Sequence, residues 1–432
     1  MAETTSEIKN TLSSFGIRSI WDVLIGDKPI WIIYLVLSCF SLVVVYSSSS
    51  MVIFHGGEFN STNVLIKQFG LLAVGILIAA GTAWLVYRYE PKILRKSAYA
   101  IYIVAIILLI MTYIPSFAPE INGAHRWVNI FGFSIQPSEV AKMALVILAA
   151  KIMAKYRGEL DNTRKVLWPI IITSGIAALL VVKSNFSSAL FLIFIMIYMM
   201  YIGRLPWKHI GLTLLGVMGI GMMALLLILT CPEPAAKVLP RLKTWNTRVV
   251  SFSPALERFA YKVDGDNDKK KTSHVDNHQI RQSKIAVAEG MSFGKGPGNS
   301  TQRYKLSQAY CDFIYAIIIE EWGWIGAILT VLTYLWLLIR VLVLVKRTDR
   351  CFDTMVIVGL MFIIVAQAFL HMGVVVNLLP ATGQTLPIIS SGGSSLFITS
   401  IEFGIILGIS KYNKEQSETN KETKVQHNNK NS

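Results

Sequence analysis

Residues 88–114 read Arg-Tyr-Glu-Pro-Lys-Ile-Leu-Arg-Lys-Ser and then Ala-Tyr-Ala-Ile-Tyr-Ile-Val-Ala-Ile-Ile-Leu-Leu-Ile-Met-Thr-Tyr-Ile. Four cations stand in a short turn, and a run without a single charge follows. About 20 apolar residues cross the hydrocarbon core of a bilayer as a helix, and Lys and Arg collect in the short loops on its cytoplasmic side. The stretch therefore reads as a cytoplasmic loop feeding a membrane span. Outward from it the same alternation repeats. Apolar windows fill most of residues 30–230 and 312–410, and of the 432 residues 53% are hydrophobic and only 16% charged. Soluble domains carry about 25% charged residues.

The fold class expected is all-α, a polytopic membrane protein of about ten transmembrane helices with a large extracytoplasmic loop between helices 7 and 8. The span cores are 30–49, 64–86, 98–114, 138–154, 167–183, 187–203, 209–230, 313–345, 354–376 and 386–410. The eighth is too long for one straight crossing, so part of it is expected as a re-entrant or surface segment. Residues 1–29 are polar and are assigned to a cytoplasmic N-terminal segment. No Ala-x-Ala-like site follows the first span, so no cleavable signal peptide is expected. The domain proper is 30–410, with 231–311 as the outer loop, and 411–432 is polar enough to be a disordered cytoplasmic tail.

Loop charges fix the orientation. Arg88, Lys92, Arg95 and Lys96, then Lys155, Arg157, Arg164 and Lys165, then Arg204 and Lys208, then Lys346, Arg347 and Arg350 all fall on one side with the tail. That side is the cytoplasm, and both termini lie there. The formal charge of +15 is thereby explained without nucleic acid, for which no soluble basic module remains. Cys39, Cys231, Cys311 and Cys351 show no metal spacing. Cys231 and Cys311 flank the outer loop and either pair in an oxidising compartment or stay as thiols.

Four clusters of polar residues need explaining, because charges at membrane depth are expensive. The first runs from Asn122, His125, Arg126 and Trp127 to Gln136, Pro137, Ser138, Glu139 and Lys142. Ser138 is a candidate helix N-cap. Glu139 and Lys142 share a helix face at the outer end of the fourth span. They either anchor that helix end as an ion pair or, with Arg126, receive a phosphorylated lipid headgroup. The second lies in the outer loop: Asp276, Asn277, His278 and Gln279, then Gln282 and Ser283, then Gly294, Lys295, Gly296, Pro297 and Gly298. Its glycines lack Walker spacing, so they form a turn or a substrate loop and hold no nucleotide. Asp264, Asp266 and Asp268 read as solvated charges. The third is Gln308 to Asp312 with Glu320 and Glu321. The two glutamates either face a cavity or order a re-entrant stretch. The fourth runs from Leu379, Thr382 and Gln384 to Ser390, Gly392, Gly393, Ser394 and Ser395. It favours close helix packing or a broken helix with free backbone donors.

Three of these motifs, Asn122 to Lys142, Gln308 to Glu321 and Leu379 to Ser395, stand in the order seen in the SEDS family (shape, elongation, division and sporulation), which includes FtsW and RodA. The chain resembles that family over nearly all of 30–410. The stretch Gly294 to Ser300, with Gln302-Arg303 and Ile317 to Glu321, looks more like FtsW of Bacteroidetes-type bacteria than like RodA. The resemblance implies ten spans and a peptidoglycan glycosyltransferase. Such an enzyme polymerises lipid II, an undecaprenyl-diphosphate-linked substrate, on the outer face of the inner membrane. It also implies a class B penicillin-binding protein as partner, among other divisome or elongasome proteins. Arg126, Glu139 and Lys142 take the activity-bearing positions of the family. The family's acidic loop base falls on Asp276, although the Asp-Pro-x-Gly-x-Gly-Tyr-Gln run common before Gln282-Ser283 is absent. Asn122, Trp127, Gln136, Ser138, Gln279, Ser283, Lys295, Asp312, Thr382 and Ser394 are the expected substrate contacts. A divalent cation, Mg²⁺ or Mn²⁺, fits a diphosphate leaving group, and no nucleotide is needed because the lipid diphosphate is already activated. A lipid II flippase and a non-catalytic divisome scaffold are the alternative functions.

Overall fold

The computed structural model describes residues 24–49, 61–120, 125–130, 132–230, 270–306, 309–380 and 382–431. Asn122, Gln308, Cys231, Asp264, Asp266, Asp268 and most of the N-terminal segment lie outside them. The described chain is helical apart from one short hairpin. The helices are α1 (Lys28–Ser48), α2 (Ser61–Arg88), α3 (Lys92–Met111), α4 (Pro137–Lys155), α5 (Trp168–Val182), α6 (Phe186–Ile202), α7 (Trp207–Thr230), α8 (Lys270–Gly290), α9 (Ile314–Val345), α10 (Cys351–Val375) and α11 (Gly393–Asn431). A hairpin of β1 (Val128–Ile130) and β2 (Phe133–Ile135) precedes α4, with Val128 paired to Ile135.

Each expected span core carries one helix, and α8 is added within the outer loop. Seven of the described helices are long and apolar enough to cross a membrane: those starting at Lys28, Val64, Lys92, Thr163, Ile314, Cys351 and Gly393. The α4 helix carries Glu139, Lys142, Lys151 and Lys155 and so falls short on composition, not on burial. The bundle is layered. Nearly every residue of α4 is buried, as are most of α10 and of the first half of α11. Around them α2, α3, α5 and α7 turn apolar side chains outward: Leu77, Ile103, Leu179 and Met218 are more than half exposed. An apolar exterior is what a lipid-facing surface requires, since lipid and side chain are equally apolar.

Small residues let two helices approach. The α2–α11 pair makes the most extensive helix contact. A β-carbon on Gly404 would lie 2.6 Å from the Ala79 carbonyl, and one on Gly408 2.6 Å from that of Ala83. Gly404 and Gly408 are four apart, the small-xxx-small spacing that brings membrane helices together.

The long eighth segment is α9, and it breaks at Gly323, whose φ of 64° and ψ of −157° suit glycine alone. Two expectations are corrected. The tenth span begins at Gly393, so residues 386–392 are extended and turned backbone, the broken-helix alternative. That backbone is buried in protein, where its polar groups find partners. The tail beyond Lys411, expected to be disordered, is helical to Asn431. The buried half of α11 has already nucleated the helix. Lys411–Glu415 at 3.0 Å and Lys414–Glu418 at 3.9 Å then support its continuation at i,i+4 spacing.

Candidate active site

The outer end of the bundle begins with the turn into α4. Gln136, not Ser138, is the N-cap, and Pro137 occupies the first turn, where its missing N–H is harmless. Ser138 instead accepts a bond from the Gln136 amide at 3.2 Å. One turn further, the Lys142 ammonium meets Glu139 Oε2 at 2.7 Å and donates to Gln367 Oε1 at 2.6 Å. Lys142 is fully buried and Glu139 nearly so. The Lys142 charge is thus held inside the bundle by Glu139 and Gln367. Glu402 of α11, also buried, stands within electrostatic reach of both.

From Lys142 a chain of hydrogen bonds leads outward. Gln367 and His371 are one turn apart on α10, and they read successive carbonyls of the strap between α10 and α11. The Gln367 amide donates to Thr385 O at 3.3 Å, and His371 Nδ1 pairs with Gln384 O at 2.8 Å. The Gln384 amide donates to Ser188 Oγ at 2.9 Å. Asn185 caps α6, accepting from Ser188 N, and next to it the Ser184 carbonyl accepts from Arg126 Nε at 3.3 Å. The strap bends at Gly383, φ 65°, where a β-carbon would lie 3.6 Å from Arg126 Nη1 and 3.7 Å from Asp312 Oδ2. Arg126 and Asp312, both half-buried, thus flank the same glycine. Around them Thr382 Oγ1, Ser394 Oγ, Asn185 Nδ2 and His371 Nε2 are buried polar atoms with no hydrogen-bond partner within the protein. Orphan polar atoms at this density mark a place that a ligand or water completes.

Of the expected residues, the structure gathers Arg126, Asp312 and Thr382 at this mouth, with Glu139 and Lys142 beneath. Trp127 is half-buried ahead of β1. Ser283 lies on the packed face of α8 and donates to Val375 O at 3.0 Å, which fastens α8 to the end of α10. Gln279 is half-buried one turn earlier. The backbone of Asp276 lies in the first half of α8; its side chain is outside the described residues. Gln367, His371 and Glu402 were not singled out from the sequence. The usable signal was their polarity inside apolar runs, with Gln367 and His371 at i,i+4.

Lys295 belongs to a different cluster. Its ammonium meets Glu289 at 2.5 Å and Glu320 at 2.9 Å and donates to Thr301 at 2.8 Å. Glu320 also accepts from Ser300 and from Thr301 N, and Glu321 from Ser47. The ammonium of Lys295 holds Glu289 down to about 2, against an ordinary 4.5. These groups satisfy one another, and Lys295, one of the expected substrate contacts, ties α8 to α9 through Glu289 and Glu320. The glycine-rich stretch is a turn, its glycines 294, 296 and 298 all at positive φ. Cys311 is a free thiol donating to Ser391 O, and burial pushes it up to about 12 with help from Asp312.

Among the described residues no three His, Cys, Asp or Glu side chains converge.

Relatives place this arrangement. The FtsW/RodA/SpoVE family model, described as a cell cycle protein, matches residues 27–415. A probable peptidoglycan glycosyltransferase FtsW of Enterococcus hirae is 29% identical over 398 residues, covering 91% of this chain and 94% of its own. The protein of that name from Geobacter sp. (strain M18) is 28% identical, covering 89% and 96%. Among solved structures, a chain of a peptidoglycan synthase complex that coordinates polymerization and crosslinking superposes with a TM-score of 0.64 at 22% identity, covering 90% of this chain and 98% of that one. The rod shape determining protein RodA of Thermus thermophilus gives 0.59 at 19% identity, covering 89% and 97%. With the matched region running through every helix from α1 into α11, the chain belongs to the FtsW/RodA/SpoVE family.

Proposed function

We propose that the protein is a peptidoglycan glycosyltransferase that polymerises lipid II at the outer face of the inner membrane during cell division or elongation. The observation that carries the reading is the half-buried Arg126–Asp312 mouth over Gly383, ringed by orphan polar atoms. The Arg126 guanidinium presents several donors in a fixed fork, the geometry that suits a diphosphate. In the reaction an acceptor sugar hydroxyl attacks the anomeric carbon of the donor. A new C–O bond forms, the bond to the diphosphate breaks, and the hydroxyl proton passes to a carboxylate. Asp276 is the proposed base, on α8 across from the strap. Arg126 and the unpartnered Thr382 and Ser394 hydroxyls stabilise charge that grows on the departing lipid diphosphate.

Lys142 and Glu139 are positioning residues. Through Gln367, Gln384 and Ser188 they set the strap and the α6 cap on which Arg126 rests. A Mg²⁺ or Mn²⁺ ion would arrive with the diphosphate and have Asp312 as its nearest protein carboxylate, since Mg²⁺ takes few protein ligands at phosphate sites. We assign the basic end of the bundle, with both termini, to the cytoplasm. A class B penicillin-binding protein, crosslinking the new strands, is the proposed partner at the outer end.

The test is gel analysis of fluorescent lipid II incubated with the purified protein, alone and with its penicillin-binding protein held catalytically inactive, with Mg²⁺ or Mn²⁺ present. A ladder of glycan polymer that disappears in Asp276→Ala and in Arg126→Ala, both folded, supports the reading. A folded complex that makes no ladder would sink it in favour of translocation or scaffolding. A ladder retained by Asp276→Ala moves the base to another loop acid.

A further inference from the structure

We propose that the basic end of the α3–α4 pair holds a binding site for an anionic phospholipid headgroup, formed by Arg95, Lys151 and Lys155 around Tyr99. The two helices run antiparallel in close contact. Arg95 and Tyr99 are one turn apart on α3, and Lys155 and Lys151 are one turn apart on α4. The pairs therefore face each other in two levels. At the deeper level the Lys151 ammonium sits over the Tyr99 ring, 4.2 Å from its centroid. At the shallower level lie Arg95 and Lys155, both exposed, and both near enough to repel Lys151. Lys155 also stands over the Tyr156 ring at 5.0 Å.

Several cations of this end meet acids among the described residues: Lys92 meets Glu90, Lys165 meets Glu159, Arg340 meets Asp27 and Lys411 meets Glu415. Among the described residues Arg95, Lys151 and Lys155 meet no carboxylate within ion-pair distance, and Lys151 and Lys155 have aromatic faces for company. Shallow loop cations are explained by topology alone. Lys151 is not, because it lies a turn inside the span and an ammonium at that depth needs a partner. Tyr99 is more than half exposed, and outward along its helix Ile103 and Ile107 are equally so. This is an apolar groove wall where acyl chains would lie beneath a headgroup. Three cations over a lipid-facing wall suit a phosphodiester at the level of the headgroups, and basic pockets between helices on this side bind such lipids.

The site rests on the orientation argued above only for which leaflet supplies the lipid; binding in detergent does not depend on it. The delipidated full-length protein would be examined by native mass spectrometry with phosphatidylglycerol, cardiolipin, phosphatidylethanolamine and inorganic phosphate as separate probes. Retention of the two anionic lipids over phosphatidylethanolamine is expected. Each of Arg95→Gln and Lys151→Gln should lower it about fivefold, given about 1 kcal/mol for each cation near a lipid surface. Lys151→Arg, which keeps the charge, should restore most of it, and Lys346→Gln, an exposed cation outside the cluster, should change nothing. Circular dichroism confirms that each variant is helical. Equal losses in Lys346→Gln, no loss in either cluster variant, or retention of inorganic phosphate in place of lipid would overturn the proposal.

Discussion

At the scale of single residues, Lys142 is the most exacting choice in the chain. It is a buried cation with a carboxylate at 2.7 Å and a second carboxylate, Glu402, nearby. Removing one member of a buried ionic group leaves the others uncompensated, at about 3–5 kcal/mol. Lys142→Met should therefore lower stability by about that amount in detergent thermal melts. Glu402→Gln in the same background tests whether Glu402 is coupled to the pair. Strict additivity of the two changes would mean that Glu402 is not coupled to the pair. Glu289 carries a second prediction, one of sign. Its folded value of about 2 lies below the ordinary 4.5 because Lys295 favours its charged form. The stabilisation is fully present above pH 4.5 and is lost as pH falls from there toward 2. The melting temperature of the wild type minus that of Glu289→Gln should be flat from pH 6 to 8, shrink below 4.5 and vanish near 2. The Glu139–Lys142 pair was legible in the sequence because three-residue spacing on a helix fixes their contact. Glu402 was not. A lone acid in an apolar run shows that it needs a partner but not which helix brings one, and here the partner is some 260 positions away in the chain.

At the scale of elements, the joint between α8 and α9 explains what hydropathy could not. The spans were readable because apolar runs have a length. The break within α9 was not, because Gly323 looks like any glycine in a membrane helix. What places it is the Met291–Gly296 turn. Lys295 N donates to Glu320 O and Gly296 N to Glu321 O, both at 2.9 Å, and Trp324 N donates to Met291 O at 3.3 Å. These bonds stand in for helical ones that the break gives up, and the Glu320 carboxylate fastens the same turn through Lys295, while Glu321 accepts from Ser47 of α1. The approach is so close that a β-carbon on Gly323 would lie 2.6 Å from Gly294 N and from Ser292 O. Gly323→Ala combines this clash with a backbone conformation costing an L-residue about 1–3 kcal/mol. Hydrogen exchange should then quicken first at the amides of Lys295, Gly296 and Trp324, with the α2–α11 contact unaffected. Unchanged protection at those three amides would mean that the turn does not hold the break. The strap before α11 was half legible for the same reason. Its serines and glycines pointed to either packing or a break, and only the carbonyl-reading side chains of α10 decide for the break.

At the scale of the molecule, every polar feature has an end. The Arg126–Asp312 mouth, the α8–α9 joint and the strap crowd one end of the bundle. The basic loops, the Arg340–Asp27 pair and the helical tail occupy the other. A lipid-linked donor and acceptor would reach such a site sideways from the bilayer, their sugars above and their chains beside the helices, so the proposed reaction requires the mouth on the side where the glycan is built. The charge asymmetry of the loops leads to the same expectation, since short basic loops stay on the cytoplasmic side. The two arguments share no residues, which makes the orientation open to one decisive check. In a variant whose native cysteines are replaced by serine, a single cysteine at Asn299, on the turn beside the joint, should react in intact spheroplasts with a membrane-impermeant maleimide. A single cysteine at Arg347, in the loop between α9 and α10, should react only after permeabilisation. The reverse pattern would put the mouth in the cytoplasm and remove polymerisation at the outer face along with the partner proposed there. It would leave the bundle, its buried ionic group and its lipid site as described, because none of those depends on which way the molecule is inserted.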